Sequence, residues 1–106
     1  MANVTNDADM LEAEVEAFLD SCARNRGGLT RKIVYPGRRG CKDRMLVLPF
    51  TGITLCELKR PVGGVYSIHQ IEEDKLLSRA GAQIEDFSTK AAISEFFAAY
   101  DREWDL

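Results

Sequence analysis

Two carboxylates and a lysine, Asp43, Glu57 and Lys59, are the residues of this chain whose types and spacing could do chemistry together. In the stretch Ile53 to Lys59, read as a strand, side chains alternate faces, so Glu57 and Lys59 project to one side and Cys56 and Leu58 to the other. Asp43 stands at the start of the preceding apolar run, and the turn Pro49-Phe50-Thr51-Gly52 between the runs predicts an antiparallel hairpin. Two carboxylates and an ammonium then converge at one spot. That set suits magnesium-assisted hydrolysis of a phosphodiester. Asp43 and Glu57 would supply hard oxygen ligands to Mg²⁺ or Mn²⁺, with the Leu58 carbonyl as a further ligand. Lys59 would orient the attacking water or stabilise charge on the phosphorus centre. Taken alone, Glu57-Leu58-Lys59 is equally well a same-face ion pair of small energetic value.

The elements that must position these residues are readable from periodicity. From Asp9 to Cys22, Leu11, Val15, Phe18, Leu19 and Cys22 form one helical stripe, which Asn6 or Asp7 can cap. Glu12 sits at the edge of that stripe and Glu16 on its wetter side. Leu29 to Tyr35 alternates as a strand, Pro36-Gly37-Arg38-Arg39-Gly40 is a loop, and Arg44 to Leu48 and Ile53 to Lys59 are the hairpin strands. After a break at Pro61 to Gly64, Ser67 begins a helix reaching Ala80, and Gly81 suits its left-handed cap. Ala82 to Phe87 is a last strand. Ala92, Ile93, Phe96, Phe97, Tyr100 and Trp104 then form one face of a closing helix. The order α-β-β-β-α-β-α predicts an α/β fold, a mixed sheet flanked by helices, with residues 1–106 as one domain.

Composition, at 45% hydrophobic and 29% charged residues, is that of an ordinary globular protein. No apolar stretch approaches the roughly 20 residues that span a bilayer. The start of the chain lacks the basic cluster of a signal peptide, which predicts a cytoplasmic protein. Cys22, Cys41 and Cys56 are odd in number and widely spaced, as reduced thiols would be, with Cys56 in a buried strand. The net charge of -3 conceals segregation: residues 21–60 carry ten bases and two acids, whereas residues 1–20 carry six acids and no base. A basic block can attract a polyanion even on an acidic protein, although a solvated face is the plainer alternative. Arg38, Arg39, Lys42 and Arg44 lie in or beside the glycine-flexible loop next to Asp43, where phosphate contacts would position a scissile bond without reading bases.

At this point the sequence resembles the VRR-NUC branch of the PD-(D/E)XK nucleases, common as small phage and bacterial proteins. The resemblance is carried by Pro36-Gly37-Arg38-Arg39-Gly40-Cys41-Lys42-Asp43-Arg44, then Glu57-Leu58-Lys59-Arg60-Pro61, then Ser67-Ile68-His69-Gln70, in the family's order and near its spacing. The opening Glu12 to Glu16 helix looks like the family's start. The resemblance implies a restriction-endonuclease-like fold, catalytic roles for Asp43, Glu57 and Lys59, and an auxiliary carboxylate at Glu12. It further implies that Gln70 reaches the active site and that Lys32 faces substrate. Ser67 is counted with the DNA contacts, although the capping box Ser67-x-x-Gln70 suffices to explain it. One position departs: the family usually has proline before the catalytic Asp, and here it is Lys42. Proline only stiffens the strand entry, so the chemistry is expected to survive.

The expectation is a Mg²⁺- or Mn²⁺-dependent DNA endonuclease acting on branched or flapped DNA such as recombination intermediates. The rival is a weak or inactive DNA-binding accessory protein, which Lys42 favours. RNA is a third option, for which the chain offers no aromatic RNA-binding motif. His69, the one histidine, lacks a catalytic partner and reads as helix surface. The aromatic stripe of the last helix reads as core or subunit contact, and a homodimer is expected because paired cuts on opposed strands need two sites.

Overall fold

The periodicities become seven elements in the computed structural model, which describes residues 12–37, 40–58 and 67–106. They are α1 (Glu12–Arg24), β1 (Leu29–Lys32), β2 (Arg44–Leu48), β3 (Gly52–Leu58), α2 (Ile68–Arg79), β4 (Gln83–Phe87) and α3 (Lys90–Glu103). The order α-β-β-β-α-β-α is the expected one. The expected start of the first helix, with its caps Asn6 and Asp7, and the break at Pro61 to Gly64 lie outside the described residues.

One mixed sheet runs β1-β2-β3-β4. β1, β2 and β3 pair antiparallel, and β4 joins β3 parallel after the α2 crossover, as a parallel pair requires. Burial on β2 alternates strictly, with Arg44, Leu46 and Leu48 inward, and β3 answers with Thr54 and Cys56. These meet Val15, Leu19 and Ala23 of α1 and Ile93, Phe97 and Tyr100 of α3 in one hydrophobic core that Phe87 closes. α1 and α3 thus share one face of the sheet. The opposite face is covered in part by α2, which packs on β4.

The first strand is shorter than expected, ending at Lys32 rather than Tyr35. The ladder allows one more bond, Ile33 N–H to the Asp43 carbonyl at 2.8 Å. The chain then turns at Pro36, which has no N–H to pair, and Gly37, at φ 73°. Val34, 79% exposed, has no layer to pack against. α1 and α3 are clamped at the far end by Arg26, whose guanidinium donates to both Asp101 oxygens at 2.7 and 2.8 Å and lies 4.6 Å from the centre of the Phe97 ring. Among the described residues no helix is long and apolar enough to cross a membrane.

Candidate active site

The site begins with register. β2 and β3 pair as far as Arg44 opposite Cys56, and β1 and β2 as far as Lys32 opposite Arg44. The Ile33 to Asp43 bond shows that the ladder runs one residue further. Asp43 therefore stands at the end of β2, one residue before Arg44, at the end of the sheet to which β3 carries Glu57. In the parallel pairing, Glu57 is in turn beside Asp86 of β4. Two carboxylates, Glu57 and Asp86, therefore stand side by side on the face opposite the core, at the same end of the sheet as Asp43. Cys56, behind them, is wholly buried, and burial pushes its thiol up to about 12, so it is no nucleophile at neutral pH.

Gln70 joins this row from α2. Its Nε2 donates to both Glu57 oxygens, at 3.0 and 3.1 Å. Its Oε1 accepts from Ser67 N–H at 2.8 Å, while the Ser67 hydroxyl accepts from Gln70 N–H at 3.1 Å. The capping box and the reach into the site are thus one arrangement, with the two ends of one amide doing different jobs. Gly40 makes the approach possible. A Cβ there would stand 2.7 Å from the Gln70 nitrogen and closer still to the His69 carbonyl, so only glycine lets the chain before Asp43 lie against the first turn of α2.

Two of the expected DNA contacts are turned inward. Lys42 is 1% exposed, and its ammonium binds Asp74 of α2 at 3.0 Å and Asp86 of β4. Burial alone would lower the Lys42 pKa, but the hydrogen bonds that its ammonium donates to Asp86 and Asp74 outweigh it and hold the pKa above the ordinary lysine value. Removing the ammonium alone would leave two carboxylates facing each other, a loss of about 3–5 kcal/mol. Arg44, also buried, binds Glu16 of α1. Neither side chain is placed to meet a phosphate on the surface, because each is turned onto carboxylates of neighbouring elements. Lys32 remains exposed at the site end of edge strand β1, and Ser67 is exposed at the start of α2. The Glu16–Arg44 pair shows that α1 enters at this same end, and Glu12 is exposed one turn earlier. His69 is exposed on α2, as read. Lys59, Arg38 and Arg39 lie outside the described residues.

Asp74 and Asp86 carry little mark of a site neighbour in the sequence, whereas Glu16 belongs to the opening helix that the resemblance includes. Asp86 alternates within a strand like any other acid, and only the parallel β3–β4 register brings it beside Glu57. Asp74 lies four residues after Gln70, a helical neighbour on the same face, which is the one signal that pointed to it.

None of the protein-family profiles compared with the chain matches it. A curated relative, "Putative nuclease p44" of Acyrthosiphon pisum secondary endosymbiont phage 1, is 38% identical over 73 residues, covering 69% of this chain and 77% of its own. A solved structure described as a VRR_NUC domain superposes with a TM-score of 0.75, covering 91% of this chain and 99% of that one at 24% identity. The chain belongs to the VRR-NUC family.

In this VRR-NUC chain the oxygen donors suit a hard divalent cation. Among the described residues no cluster of three or more carboxylate, thiol or imidazole side chains is close enough to hold a metal. Mg²⁺ does not need one, since it is usually held by one or two carboxylates with waters and substrate phosphates completing its shell. Glu57, its oxygens fixed by Gln70, at the end of the sheet that also carries Asp43, fits that pattern.

Proposed function

We propose that this chain is a Mg²⁺- or Mn²⁺-dependent endonuclease that hydrolyses phosphodiester bonds in DNA, with branched or flapped DNA as its substrate. The observation that carries the reading is the hold of Gln70 on both Glu57 oxygens at the end of the sheet where Asp43 precedes β2. Membership of the VRR-NUC family and a relative named a putative nuclease support it. Asp43, Glu57 and the Leu58 carbonyl are the proposed ligands, and a cation held there supplies Lewis acidity toward water and phosphate. Lys59 orients the attacking water. Glu12 adds an outer carboxylate, and Arg38, Arg39, Lys32 and Ser67 hold the DNA backbone. Residues 1–106 act as one domain, in the cytoplasm, with Cys22, Cys41 and Cys56 kept as reduced thiols. Two copies would supply the paired cuts that a junction needs.

The test is cleavage of labelled single-stranded, duplex, flap and four-way DNAs with Mg²⁺, with Mn²⁺ and with chelator. Wild-type protein should cut only with metal, and the branched substrates fastest. Glu57→Gln should lose metal affinity and turnover, whereas Lys59→Ala should bind metal yet lose turnover by at least about a hundredfold, as removal of a transition-state contact does. Wild-type rates in either variant would sink the assignment. DNA binding without cutting under any metal would point instead to the accessory role.

A further inference from the structure

We propose that Lys42 is a positioning residue for the Asp43–Glu57 pair: its buried ammonium, gripped between α2 and β4, fixes where Asp43 stands and where α2 presents Gln70. The inference rests on the metal-dependent reading of the site and concerns a residue given a different part in the sequence, that of a surface phosphate contact. It starts from burial. Lys42 is among the largest fully buried side chains of the protein, and an ammonium is expelled from such a place unless charged partners surround it. Its two partners come from two elements, Asp74 at 3.0 Å on α2 and Asp86 on β4.

Each partner is tied to the site. Asp86 stands beside Glu57 in the β3–β4 register. Asp74 follows Gln70 by one helical turn, on the helix face that delivers the amide to Glu57. Lys42 itself is bonded through its backbone to Asp43. One side chain thereby connects the residue before one proposed ligand to the strand beside the other and to the helix that orients it. Neutralising Asp86 from within also keeps that carboxylate from competing with Asp43 and Glu57 for a cation. Groups outside the direct ligands that orient them typically change metal affinity about 10–100-fold when removed.

The double variant Lys42→Met, Asp86→Asn keeps the volume and removes the ammonium together with one carboxylate, so that no buried like-charge pair remains. In the full chain, amide hydrogen exchange of Ile33, whose N–H bonds the Asp43 carbonyl, should speed up by about tenfold or more, while Leu46 and Thr54 in the β2–β3 ladder exchange as in wild type. Calorimetric titration should find Mn²⁺ affinity about tenfold lower. The cleavage rate should fall through kcat, with KM for a flap DNA unchanged, because Lys42 does not touch DNA. Wild-type Ile33 exchange and Mn²⁺ affinity in the folded variant would overturn the proposal, as would a loss confined to KM. Should that variant fail to fold, Lys42→Arg decides, since it keeps the charge but lengthens the strut. It is expected to raise Ile33 exchange and weaken Mn²⁺ binding severalfold, and wild-type values in it would also overturn the proposal. If wild-type protein itself bound no Mn²⁺ and cut no DNA, the nuclease reading would fail, while the exchange comparison would still judge the part of Lys42.

Discussion

Gln70 divides one amide between two tasks, and the tasks can be separated by substitution. Its carbonyl end accepts from the Ser67 N–H and its amino end donates to both Glu57 oxygens. Ser67→Ala removes the cap hydroxyl, which costs about 1 kcal/mol of stability, and as a proposed DNA contact its loss should be read in KM for DNA while Mn²⁺ affinity stays at the wild-type value. Gln70→Ala removes its share of the cap and also the two hydrogen bonds it donates to the Glu57 oxygens. It should therefore lower Mn²⁺ affinity and kcat by roughly tenfold beyond any loss of stability. Urea unfolding of the two variants alongside Mn²⁺-dependent cleavage would check this. Equal Mn²⁺ affinity in both would reduce Gln70 to a capping residue.

Among the elements, α1 and α3 are held together at the end of the sheet away from the site by Arg26 and Asp101. The guanidinium hydrogen bonds hold the Asp101 carboxyl below the usual carboxylate range. A pKa lowered on folding gives stability that is present above the unfolded value, about 3.9, and is lost as pH falls through the folded value. Asp101→Asn should thus lower the melting temperature at pH 7, and the gap to wild type should close progressively below about pH 4. Thermal unfolding between pH 2 and pH 7 reads it, and a gap independent of pH would show that charge has no part in the clamp. The site end should be insensitive to this change, because the clamp and the carboxylate row lie at opposite ends of the sheet.

For the whole molecule, the basic block of residues 21–60 is smaller at the surface than its count of ten suggests. Arg26, Lys42 and Arg44 are spent on Asp101, on Asp74 with Asp86, and on Glu16, and exposed Arg24 pairs with Asp20 at 2.8 Å. DNA affinity should then rest on few contacts and depend only moderately on salt. Arg38→Ala with Arg39→Ala should weaken binding to all sequences alike. The logarithmic salt slope should fall by about 2, since each duplex phosphate contact contributes about 0.9. An unchanged slope in a filter-binding titration would make the loop mere solvated surface. The proposed dimer also narrows. Phe97 and Tyr100 are buried in the core, and Phe96 packs edge-on against Phe87 and Phe97. Among the described residues, the outward aromatic surface near this helix is Phe50, 54% exposed, stacked on Trp104 at 5.0 Å. Light scattering at micromolar concentration, with and without a four-way DNA, should give twice the monomer mass. A strict monomer in both would remove the paired-cut scheme and leave the nuclease reading intact.

Local patterning determined much of this protein. Amphipathic stripes, the Pro49–Gly52 turn, the Ser67–Gln70 box and Gly81 fixed the element order, because each depends on residues within a few positions of one another. Strand alternation likewise put Glu57 on the face opposite Cys56. The tertiary structure decided what depends on partners distant in the chain. That β1 stops at Lys32 follows from where its neighbour β2 begins, and that Asp86 stands beside Glu57 follows from a parallel register that no local signal sets. The directions of Lys42 and Arg44 were hidden for the same reason. A lysine in a basic, glycine-rich stretch is written like a surface residue, and only the carboxylates that α2, β4 and α1 bring to this end of the sheet repay the desolvation of turning such charges inward.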